Sequence, residues 1–123
     1  MKNKKRDTNK IIVNKILKYC GQITESMNRF DNSYEKYVND FVFQYSVNMC
    51  IFQIGELTTR LTEDFKEKHN IIPWKLIRAM RNITAHEYEK LEFEAMWQTL
   101  TEDIPALEKQ LQEILKIEND EEN

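Results

Sequence analysis

The chain has 123 residues, 41% of them hydrophobic and 32% charged, with a formal net charge of −3. That length reads as one domain that can bury a core without disulfide or metal staples; the charge argues against a bulk nucleic-acid binder, and the apolar runs are too short to span a membrane. Only two glycines and two prolines interrupt the chain, so turns are few and elements long, which predicts an all-α fold.

Ile12, Ile16, Tyr19, Ile23 and Met27 recur at helical spacing and predict an amphipathic helix over about 9–27, with Gly21 inside it as a bend or a point of close packing. A polar linker follows over about 29–33, with Asp31 or Ser33 as the cap of a short helical turn over about 34–38. A second long helix is expected over about 40–68. Phe41, Tyr45, Met49, Phe52 and Glu56 trace one side of it, while Val42, Ser46, Met49, Ile54, Leu57, Leu61 and Phe65 trace a broad apolar stripe. Its first half is apolar on most faces, so the helix should be central or packed on two sides.

His69 and Asn70 end that helix, and Pro73 suits the first turn of a third, beginning at Ile72-Pro73-Trp74. A fourth helix is expected over about 92–117, with a core stripe from Phe93 to Leu115 and a kink at Pro105, which lacks a backbone donor. The expectation is one domain over 1–123, an up-and-down bundle of four to five helices with a flexible basic start (about 1–8) and an acidic tail (about 118–123). Cys20 and Cys50 stand apart and read as buried thiols in a reducing compartment. The basic start is not followed by an apolar stretch, so no signal peptide is expected and a cytoplasmic location is.

The densest chemistry lies in Met80-Arg81-Asn82-Ile83-Thr84-Ala85-His86-Glu87-Tyr88. Arg81 is a permanent cation suited to a phosphate, and His86 can exchange a proton near neutral pH. On a straight helix Arg78, Asn82 and His86 share a face, whereas Arg81 and His86 are turned by roughly 140° from one another. Both reach one phosphate only if the helix ends before His86, if the long arginine reaches round, or if two subunits compose the site across a two-fold axis. The plainer reading is that Arg81, Asn82 and His86 cap a helix and pair with acids, Glu56 being the candidate acid for Arg78 or Arg81. His69 has no ligand spacing to His86, so no metal site is expected.

In order along about 11–115, Ile54-Gly55-Glu56-Leu57, Ile72-Pro73-Trp74, Met80-Arg81-Asn82 with Ala85-His86-Glu87-Tyr88, and Trp97 with Asp103-Ile104-Pro105-Ala106-Leu107 resemble the HEPN superfamily in its HepT-like branch. The resemblance implies a homodimeric helical bundle with the motif lining a cleft at the interface. It implies a metal-independent endoribonuclease toxin that needs no cofactor and cuts tRNA or mRNA. Arg81 and His86 carry over as the catalytic pair; beside the resemblance, the residues themselves suggest Asn82, which is placed to hold the His86 ring, Arg78 and Glu56 as supporting groups. Tyr88 carries over as the tyrosine adenylylated by a cognate minimal nucleotidyltransferase antitoxin. Glu87 places a carboxylate between His86 and Tyr88, where it would weaken phosphate binding or hold the imidazole proton more tightly; other members of the family carry an acid here as well.

RNA brings its own nucleophile, the 2′-OH, so His86 and its copy across the dimer would serve as base and acid and Arg81 would stabilise the pentavalent phosphate. The competing reading is a non-catalytic nucleotide- or substrate-binding subunit of a nucleotidyltransferase complex, with a purely structural helical adaptor as a third.

Overall fold

The structure is a computed structural model that describes the backbone of residues 4–82 and 90–122 and the side chains of 8–82 and 92–121. In chain order the elements are α1 (Lys4–Arg29), α2 (Tyr34–Asn39), α3 (Phe41–Thr58), α4 (Glu63–Lys68), α5 (Trp74–Ala79), a 3-10 turn (Met80–Asn82), α6 (Lys90–Gln98), a π turn (Thr99–Asp103) and α7 (Ile104–Glu122). There is no strand among the described residues, and the all-α expectation holds. No helix among them is long and apolar enough to cross a membrane.

The frame is α1 packed lengthwise on α3 and α7. Ile12, Val13, Ile16, Cys20 and Ile23 of α1 are buried against Phe43, Val47, Ile51 and Ile54 of α3 and Leu107, Leu111 and Ile114 of α7. Gly21 does not interrupt α1, and it admits no close neighbour: nothing stands within 4 Å of where its Cβ would be.

The linker after α1 turns through Asp31 and Asn32, whose φ values of 60° and 52° lie in the left-handed region that Asn and Asp tolerate best among non-glycine residues. Ser33 then caps α2, its hydroxyl accepting from the Lys36 amide at 3.2 Å. Asp40 caps α3 by accepting from the amides of Val42 and Phe43. An aromatic cluster of Phe30, Tyr37, Phe43 and Trp97 closes this end of the bundle, and the Tyr37 hydroxyl donates to Asn48 at 3.0 Å.

Two expectations about long helices are corrected. The helix expected over 40–68 is two, α3 and α4, with a turn between them. The break is tertiary. Asn9 on α1 donates to Thr62 Oγ1 at 3.0 Å and accepts from the Thr62 amide at 3.1 Å, while Thr62 caps α4. The expected apolar stripe holds in its second half, where Ile54, Leu57, Leu61 and Phe65 are buried, but not in its first: Val42 and Met49 are exposed, and Phe43, Val47, Cys50 and Ile51 are inside. The helix expected over 92–117 is likewise two, and the disturbance near Pro105 is a π turn. There the Ile104 amide reaches back to the Thr99 carbonyl, widening the backbone just before the proline ring.

The acidic segment near the end of α7 does not simply face solvent. Glu118 is buried and stands 2.7 Å from Nε2 of the buried His69. Burial pushes the Cys20 thiol up to about 12, with Glu108 and Cys50 adding to it, and burial raises Cys50 as well.

Candidate active site

The motif enters through a short, well-anchored elbow. His69 ends α4 and is fixed by Glu118 from α7, and Lys68 reaches the same carboxylate at 3.0 Å and also pairs with Glu121. The Trp74 indole donates to the carbonyls of Lys66 and His69 at 3.0 and 3.1 Å. With Pro73 ahead of it and the buried Ile77 docking on the core, α5 has a fixed starting direction.

α5 ends at Ala79, and the 3-10 turn carries Arg81 and Asn82. Over Met80–Asn82 the winding is that of a 3-10 turn, where i and i+3 rather than i and i+4 fall in line, so Arg78 and Asn82 do not lie on one continuous α-helix; the expected common face with His86 lies outside the described residues. This turn lies directly on α3. A Cβ at Gly55 would stand 2.4 Å from the Arg81 backbone nitrogen, a distance real Cβ atoms do not adopt. Glycine at 55 is thus what lets the backbone of the motif touch the central helix.

The next residue of α3 completes the pair. Arg81 Nη1 stands 4.0 Å from Glu56 Oε1, with side chains 45% and 37% exposed. Such a long, half-exposed pair is weak; it aims the guanidinium without neutralising it, so Arg81 can still meet a phosphate. Of the two arginines considered for Glu56, Arg81 is the one it reaches. Arg78 instead borders a hollow on the outer face of α4 and α5, with Glu63, Lys66, Glu67, Trp74 and Lys75. Asn82 is exposed at the end of the turn. His86, Glu87 and Tyr88 lie outside the described residues. No cluster of three or more His, Cys, Asp or Glu side chains among the described residues is arranged to hold a metal ion.

Leading toward Glu56, an apolar strip runs along the outer side of α3. Phe41, Tyr45 and Met49 are 64%, 62% and 58% exposed, and the half-buried Phe52 continues the line at helical spacing. The parts that residue types alone did not reveal are Gly55 and the His69–Glu118 pair. For Gly55 the signal was partial: a glycine costs stability inside a helix and so invites a packing reason, but Gly21 shows that it need not have one. For His69 and Glu118, separated by 49 positions, the sequence carries none.

The fold and site define an all-α bundle that presents an arginine turn on its central helix, and comparison with known proteins supplies the family. The ribonuclease HepT-like family model matches residues 16–114, and the chain belongs to that family. A protein of Caldanaerobacter subterraneus subsp. tengcongensis provisionally named an RNase is 37% identical over 84% of this chain and 90% of its own length. Another with a provisional RNase name, from Methanocaldococcus jannaschii, is 32% identical over 97% of both chains. A protein of Thermococcus cleftensis named "Probable ribonuclease HepT" is 31% identical over 68% of this chain and 76% of its own. No solved structure matches the chain. The class this assigns to the chain is endoribonuclease.

Proposed function

We propose that this endoribonuclease is a metal-independent toxin that cleaves RNA by attack of the 2′-OH on the adjacent phosphate. Arg81 and His86 do the chemistry. One observation carries the reading: Gly55 admits the Arg81 turn to the surface of α3, where Glu56 aims the guanidinium while leaving it free. In that role Arg81 stabilises charge on the pentavalent phosphate. His86 takes the 2′ proton, and His86 of the partner subunit protonates the departing 5′ oxygen. The products are a 2′,3′-cyclic phosphate and a 5′-OH. Because RNA carries the nucleophile, no metal-activated water enters the scheme.

Asn82 and Arg78 support the site, Asn82 by orienting groups at the turn and Arg78 by adding positive charge beside it. The exposed Phe41–Tyr45–Met49 strip supports a homodimer built on α3, since a two-fold axis there brings two copies of Glu56 and Arg81 toward each other. In the cell, a cognate minimal nucleotidyltransferase silences the toxin by adenylylating Tyr88. The added phosphate puts bulk and negative charge two residues from His86, repelling RNA. The location that goes with this role is the cytoplasm, and the RNA is a tRNA or mRNA.

The test is inducible expression of wild type, Arg81→Ala and His86→Ala in a bacterium lacking the partner, with total RNA run on a gel. Wild type should arrest growth and degrade RNA, and each variant should lose cleavage by on the order of 10²-fold or more. Folded, unmodified wild type that leaves RNA intact would move the assignment to a non-catalytic, nucleotide-binding subunit.

A further inference from the structure

The hollow beside the motif, outside the Arg81–Glu56 pair, has features that the cleavage scheme does not use. It encloses about 300 Å³ between α4 and α5 and is bordered by Glu63, Lys66, Glu67, Trp74, Lys75 and Arg78. The Trp74 ring is half-buried, set against Phe65 with ring centres 6.4 Å apart, and locked by its two indole hydrogen bonds. It is a rigid aromatic surface at the hollow's edge rather than a mobile side chain. Lys66 is largely buried and engages Glu63 at 2.9 Å, which offsets one of the two carboxylates. Lys75 and Arg78 are exposed on α5, and neither pairs with a carboxylate among the described residues. Arg78 precedes Arg81 by three positions, so the two guanidinium groups stand on neighbouring turns. On a chain of net charge −3, two cations without a carboxylate partner among the described residues and a fixed indole beside the motif arginine are a local arrangement, not a consequence of composition.

We infer that this hollow seats single-stranded RNA flanking the scissile phosphate, with one base against Trp74 and its phosphate held by Lys75 and Arg78. The inference rests on the ribonuclease reading and deepens it by naming the form of the substrate. A base can meet an aromatic ring only when it is out of its own stack, so the site selects unpaired strands, loops or ends over duplex. The cations hold any sequence alike, because phosphate contacts position the strand without reading it. Arg81 then receives the neighbouring phosphate in register.

The probe is a mixed-sequence single-stranded oligonucleotide, 2′-O-methylated so that it cannot be cut, with 5-iodouracil at alternate positions. Binding is read by fluorescence anisotropy across a salt series, and ultraviolet crosslinks are mapped by mass spectrometry. Wild type should crosslink through Trp74, and a duplex of the same sequence should not. Lys75→Gln/Arg78→Gln should weaken binding about tenfold at low salt and flatten the salt dependence by roughly 1.4 in log–log slope, for two single-strand phosphate contacts. Lys75→Arg/Arg78→Lys should restore that slope. Crosslinks confined to other residues, an unchanged slope in the Gln variant, or no binding by wild type overturns the inference. An oligonucleotide bound as described by a protein that cuts no cellular RNA overturns the toxin reading instead and leaves the seat standing.

Discussion

Arg81 reaches the bundle by way of Gly55. Glycine inside a helix ordinarily costs about 1 kcal/mol relative to alanine, and the two glycines of this chain separate that rule from its exception. Gly21 is exposed with open space where its Cβ would stand, so Gly21→Ala should raise stability by about 0.5–1 kcal/mol in urea unfolding. Gly55→Ala places a methyl 2.4 Å from the Arg81 nitrogen. Because backbone, not a flexible tip, must yield, stability should fall by about 1–3 kcal/mol and RNA cleavage should fall with it. A Gly55→Ala protein as stable and active as wild type would sink the argued contact.

At the level of elements, the elbow from α4 into α5 is braced from α7. Glu118→Ala leaves the His69 ring buried without its carboxylate and withdraws one of the two acids held by Lys68. Loss of about 1–3 kcal/mol is expected, the cost of an unmet buried polar group, measured as a lower urea midpoint at unchanged slope. The same elements show what could be read beforehand. α1 and α2 were legible because their apolar positions keep to one side and Ser33 offers a cap. The α3–α4 break was not, since Thr59, Arg60 and Thr62 sit acceptably on the polar side of a longer helix and Asn9, far away in sequence, decides the stop. Ile54 and Leu57 were legible as buried, but the inner side of the first half of α3 could not be read, because a stretch apolar on most faces has no preferred inside. Pro105 announced a disturbance but not its form. In the site, the chemical types were legible, whereas the register that sets Gly55 under Arg81 arises only when distant segments meet.

For the whole molecule, the exposed Phe41, Tyr45 and Met49 are more apolar surface than a solitary α3 needs. Tyr45→Glu/Met49→Glu should convert a dimer to a monomer in analytical ultracentrifugation while leaving helical content unchanged; a wild type that sediments as a monomer at high concentration would remove that role from α3. Stability should also decline in alkali. A Cys thiol in the unfolded chain titrates near 9, whereas Cys20 in the fold keeps its proton to about 12. Between those values the unfolded state sheds a proton that the native state retains, so unfolding becomes easier as pH rises, by on the order of 1.4 kcal/mol per pH unit. Lys68 acts in the same direction. Its hydrogen bonds to Glu121 and then Glu118 raise it above 10.5, so its contribution is complete below that value and lost as pH climbs through the raised one. Urea midpoints should change little from pH 8 to 9 and then fall steadily to about 11, less steeply for Cys20→Ala.

Synthesis runs from the N-terminus, so His69, Trp74 and Arg81 leave the ribosome well before Glu118 does. A growing chain carries its arginine on an elbow whose brace has not yet been made. The motif is written early and stiffened late, which puts an interval between the appearance of its arginine and the brace that fixes the elbow carrying it.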